Sequence, residues 1–179
     1  MKTFRLAVAA LAAAAVVPAA ASAAPDHTGA VDATKTAFTW DSKLGTGFST
    51  VNTNHDGQIG CGTAVVHDCD ETLVHATGCG TLQVTNTGNL PTSVDTDLYT
   101  YYSNAAGDKV EAGPSSAQGT PTPNESANID LIAPDSYILI EMDYTDNVDP
   151  GGGVSGTATY VAPDYAYDPD TCAPLDSDF

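Results

Sequence analysis

The chain is poor in positive charge, with five Lys and Arg against 23 Asp and Glu over 179 residues and a net charge of −18 with His neutral. Lys2 and Arg5 lie at the extreme N-terminus, so the rest of the chain has no arginine and only Lys35, Lys43 and Lys109. Attraction to phosphate backbones and anionic lipid surfaces depends on Lys and Arg, which excludes nucleic acid and anionic membrane as partners. Cations, cationic surfaces and neutral polymers remain. Helical periodicity is missing too: beyond the N-terminus no segment repeats apolar residues at helical spacing, and the 16 Gly and 11 Pro recur too often for one. There is no G-x-S-x-G elbow, no HExxH and no CxxC pair. Their absence removes the sequence marks of a serine hydrolase, a zinc protease and a zinc ribbon.

What is present starts with an export signal. Met1–Ala23 has a short basic start, an apolar Ala/Val/Leu stretch interrupted by Pro18, and the small-residue pattern Ala21-Ser22-Ala23. The pattern predicts a cleaved secretory signal, not a membrane anchor, and an extracellular mature protein of single-domain size. Four cysteines, Cys61, Cys69, Cys79 and Cys172, then predict two disulfides. Three pairings are open. Cys61–Cys69 with Cys79–Cys172 is preferred, because it would close one short loop and tie the C-terminal tail to the body.

Short runs rich in Val, Ile, Thr and Tyr alternate with turn clusters, which is an all-β signature. The predicted strands are AFTW, FSTVN, ETLVHAT, TLQVTNT, DLYTYYS, NIDLIA, SYILIEMDYT and VSGTATYVA. Several alternate strictly: Ile138, Ile140 and Met142 share one face while Glu141 and Asp143 share the other. Burying one face of such strands calls for a second sheet, hence an antiparallel β-sandwich. The expected organisation is a loose lead-in over 24–38, a sandwich domain over 39–163 and an acidic, Tyr-rich tail over 164–179. NAAGDK, APDS and DPGGG read as turns, and Gly113 to Ser126 as a long polar loop.

Three acidic stretches are candidates for cation binding. In VNTNHDGQIG, Asn52, Asn54, Asp56 and Gly57 match the start of a calcium loop, but Thr63 stands where a bidentate Glu is needed and Asp56 is the only charged ligand. It reads as a turn that at most lends Asp56 to a neighbouring site. In HDCDETLVH, Asp68 and Asp70 alternate onto one side, with Glu71 beside them; VDTDLYTYYS repeats that spacing with Asp95 and Asp97. Clustered carboxylates repel unless a cation separates them, so the expected cofactor is one Ca2+ joining the two strand starts. Tyr99 and Tyr101 share the face opposite Leu98 and form a candidate ligand surface suited to sugar or peptide. His67 next to Asp68 is poorly placed as a base-orienter pair, because adjacent strand residues point to opposite faces.

The run from HDCDETLVHATGCGTLQVTNTG through DTDLYTYYSNAAGDKVEAG to ESANIDLIAPDSYILIEMDY and VSGTATY resembles the bacterial pre-peptidase C-terminal (PPC) domain group. The D-x-D-L-Y-x-Y strand, the glycine turn in NAAGDKV and the YILIEMDY strand carry the resemblance, with Pro134-Asp135 where the group usually has Pro-Gly. It implies a jelly-roll-like β-sandwich acting as a non-catalytic module, with calcium held at Asp95 and Asp97 and at Asp68, Asp70 and Glu71. The group usually accompanies a protease, and no protease motif is present here.

The expected function is therefore a secreted, monomeric binding or accessory module whose ligand is a polymer or a secreted protein. The alternatives are a small hydrolase using paired carboxylates and a protease-associated inhibitor or pro-region acting in trans.

Overall fold

A computed structural model describes residues 24–42, 69–88, 96–116, 124–144 and 154–175. In chain order their strands are β1 (His27–Val31), β2 (Ala37–Asp41), β3 (Cys69–Thr77), β4 (Gly80–Gly88), β5 (Thr96–Ser103), β6 (Lys109–Ala112), β7 (Ser126–Leu131), β8 (Asp135–Tyr144) and β9 (Val154–Val161). They form a five-stranded sheet in the order β1-β3-β8-β5-β6 and a four-stranded sheet in the order β2-β9-β4-β7. Every pairing is antiparallel except β1 with β3. The all-β, two-sheet expectation holds.

The period-two pattern sorts residues between the faces. Val74 and Ala76 of β3, Leu98 of β5, and Ile138, Ile140 and Met142 of β8 point inward. Leu82 and Val84 of β4, Ile129 of β7 and Ala158 and Tyr160 of β9 meet them from the other sheet. Each fully buried aliphatic side chain is worth about 1.5–3 kcal/mol, so this one continuous cluster is the main stabilising element. Trp40 closes one edge by lying over Gly156, where an added Cβ would fall 2.1 Å from its ring. Only glycine admits that approach.

The structure corrects the lead-in reading. Residues 24–38 are not a loose segment: His27–Val31 adds to the five-stranded sheet in parallel with β3, while the expected AFTW strand is β2, at the edge of the four-stranded sheet. Short apolar content hides β1 in sequence, since its pattern is carried by Gly29 and Val31 against Val74 and Ala76. Lys109, read as the end of the NAAGDK turn, opens the short edge strand β6 (Lys109–Ala112). The expected FSTVN strand falls outside the described residues.

Cys79 and Cys172 are joined, with Cα atoms 5.1 Å apart. The tail that this bond holds is folded on itself: Asp168 N donates to Ala173 O at 2.9 Å, Cys172 N to Asp168 O at 2.8 Å and Leu175 N to Ala166 O at 3.0 Å. Cys61 lies outside the described residues, as does the side chain of Cys69, so the Cys61–Cys69 pairing falls there too.

Candidate functional site

Of the acidic candidates, Asp56, Asp68 and Asp95 lie outside the described residues; Asp70, Glu71 and Asp97 lie within them. Strand alternation separates these three. Asp70 shares the inward face with Thr72 and Val74, whereas Glu71 and Asp97 point to the outer face of the same sheet. Asp70 is 2% exposed, takes the hydroxyl of Thr72 at 3.2 Å, and lies 3.1 Å from His27 Nε2. Burial pushes its carboxyl above the usual value, with His27 pulling the other way. Glu71 contributes its amide to Asp26 at 3.1 Å, and Asp97 accepts from the hydroxyl of Tyr99 at 3.2 Å.

On the outer face, β3 and β8 place Glu71 directly opposite Glu141. Lys109 reaches in from β6 to both, contacting Glu141 and lying 3.4 Å from Glu71. Its ammonium also sits 4.3 Å from the centre of the Tyr101 ring. The lysine side chain is 5% exposed, so this is a buried three-charge cluster, and its removal would take the shared ammonium from two carboxylates. Tyr101, expected as ligand surface, is the floor for this lysine, and Tyr99 is half-buried beside it. Among the described residues no group of three or more His, Cys, Asp or Glu side chains is placed to hold a metal ion.

A second carboxylate–imidazole pair escaped the sequence reading. His75 and Asp135, 60 residues apart, bond at the far end of the same face, with His75 stacked on Tyr137 at 4.4 Å. The pair is legible only from register, since β3 and β8 bring Thr77 opposite Asp135 and His75 opposite Tyr137. Among the described residues no hydroxyl or thiol is bonded to either His27 or His75, so neither imidazole is part of a nucleophile–base pair there.

One concavity of the described surface gathers apolar side chains. A cleft of about 580 Å³ opens where the ends of β4, β7 and β9 meet the disulfide-held tail. Ile132, Val161 and Tyr165 line it, and they are 62%, 39% and 52% exposed. The carboxylates of Asp130 and Asp164 flank them. Two local features shape it. Gly80, at φ +143°, brings β4 so close to β9 that an added Cβ would sit 2.1 Å from the Val161 carbonyl oxygen. Below it the buried hydroxyl of Tyr160 donates to the Cys79 carbonyl at 2.6 Å, fixing the backbone from which the disulfide leaves. Sequence reading flagged Tyr165 as part of a Tyr-rich tail; Ile132 and Val161 carried no signal, because the cleft exists only once Cys172 folds the tail back.

With that geometry in place, known structures include likenesses to this fold. The chain is similar in fold to a pre-peptidase C-terminal domain. That domain, from the collagenase of Bacillus anthracis, is 8% identical with a TM-score of 0.41, over 74% of this chain and 94% of that one. CorA, a surface-associated copper-binding protein important in copper acquisition by Methylomicrobium album BG8, is 10% identical with a TM-score of 0.45, over 78% of this chain and 99% of that one. No family profile matches the chain, and no curated protein does. Both likenesses concern the fold alone.

Proposed function

We propose that the chain is a secreted, non-catalytic binding module that engages its ligand in the cleft between the four-stranded sheet and the C-terminal tail. The observation that supports this is the convergence of Ile132, Val161 and Tyr165, exposed together in one concavity flanked by carboxylates. Scattered apolar residues on a surface need no explanation, but a concave group with a few polar atoms is the usual form of a recognition site. The disulfide gives the cleft a fixed wall, which lowers the ordering cost of binding. Export fits the same reading, since the Cys79–Cys172 bond persists in an oxidising compartment.

The test is retention of the mature protein on chitin, collagen and bacterial cell-wall supports, each compared with Ile132→Ser and Tyr165→Ala. Retention on one support, lost in both variants with melting temperature unchanged, is the expected result. Retention that both variants preserve would move the site elsewhere.

A further inference from the structure

The chemistry of the cleft narrows what fits it. Its charged groups are carboxylates, Asp130 and Asp164, and among the described residues none that is basic lines it. The described lysines are committed elsewhere: Lys109 to Glu71 and Glu141, and Lys35 over the ring of Phe38 at 5.8 Å from its centre. Asp130 has a long contact of 3.5 Å from the Thr81 hydroxyl, which leaves most of its acceptor capacity open. Beside these carboxylates stand exposed aliphatic carbon, from Ile132 and Val161, and one aromatic ring, from Tyr165.

Resting on the binding-site reading above, we infer that the cleft recognises a protein segment presenting an arginine or lysine side chain. A long cationic side chain needs three surroundings: apolar surface along its stem, acceptors at its head, and no competing cation. The cleft supplies all three, and the Tyr165 ring adds a face on which a guanidinium can stack. The charge of the whole chain works in the same direction, since −18 over 179 residues draws a basic partner in and speeds its encounter. A neutral sugar fits less well. It is held by stacking platforms and by paired donors and acceptors, whereas the described lining of the cleft has one aromatic ring and no Asn, Gln, Arg or Trp.

The experiment is a titration of the ¹⁵N-labelled mature protein, followed by its amide resonances, with three probes: Nα-acetyl-arginine amide, the uncharged Nα-acetyl-citrulline amide and chitotriose. The arginine probe should shift the amides of Ile132, Val161 and Tyr165 with millimolar affinity. Citrulline, of the same shape, should bind about two- to fivefold more weakly for each carboxylate engaged. Added salt should narrow that gap, and the Asp130→Asn, Asp164→Asn double variant should erase it while the citrulline response survives. Equal binding of arginine and citrulline, or a cleft response to chitotriose alone, would overturn the cationic assignment and leave the cleft as the site. Cleft amides silent to all three probes would overturn both readings together.

Discussion

Replacing Cys79 and Cys172 with serine is the perturbation whose size follows most directly from the fold. The bond closes a loop spanning 93 residues of sequence separation, and that loop encloses β4 through β9, three strands of each sheet. In the chain-entropy picture, releasing such a loop stabilises the unfolded chain by about 4.7 kcal/mol. Two serines also lose the buried contacts of the cystine, which adds to the loss. Against this, the folded variant regains freedom: the tail after β9 is attached through turns around Asp168 and Ala173, and without the bond it can detach while the sandwich persists. The measured loss should therefore approach but not exceed about 4–5 kcal/mol, or a fall in Tm of roughly 9–19 °C for a domain of this size. Urea unfolding is the assay, with serine variants in place of a reductant so that Cys61 and Cys69 are left untouched. A loss below about 1 kcal/mol with an unchanged urea slope would refute the reasoning, because the unfolded chain would then gain almost nothing from the open loop.

Three other expectations follow from particular contacts. Lys109→Met should cost about 3–5 kcal/mol by removing the ammonium that Glu71 and Glu141 share; the denaturant midpoint checks it. Gly80→Ala should cost about 1–3 kcal/mol through strain at φ +143° and the clash with the Val161 carbonyl, read from the urea midpoint. Asp70 has a folded pKa raised by burial above its usual 3.8, so its contribution to stability is full below that value and is lost as pH rises through the folded pKa. An Asp70→Asn protein does not titrate there, and its Tm advantage over the parent should widen from about pH 4 to pH 7. A shrinking advantage would mean that His27 outweighs the cost of burial.

The sandwich was legible because alternation is a local property. Ile138, Ile140 and Met142 announce an inward face wherever the strand is placed, and they lie in the core. The same rule, followed further, also separates the acidic candidates: Asp70 and Glu71 are neighbours in sequence and so face opposite sides of their sheet. Register was not legible. Glu71 meets Glu141, and His75 meets the Tyr137 ring, through pairings spanning some 60 to 70 residues that no spacing pattern reports. The fate of Lys109 was hidden for a like reason, as its partners come from two other strands. β1 was missed because two of its five residues are glycine and alanine, which carry little β signal. The cleft needed the disulfide partner to be known as well as the strands, and Cys79–Cys172 was the one preferred pairing that the described residues display.

The strand order also bears on when the molecule can assemble. β8 and β9 come last in the chain, yet β8 lies between β3 and β5, and β9 lies between β2 and β4. Each sheet therefore lacks an interior member until nearly the whole polypeptide has emerged, and β2, whose partner is β9, waits longest for its docking strand. A chain that emerges N-terminus first can complete neither sheet until these last strands are out. It then closes in one late step, slowed by the long sequence distances its pairings span.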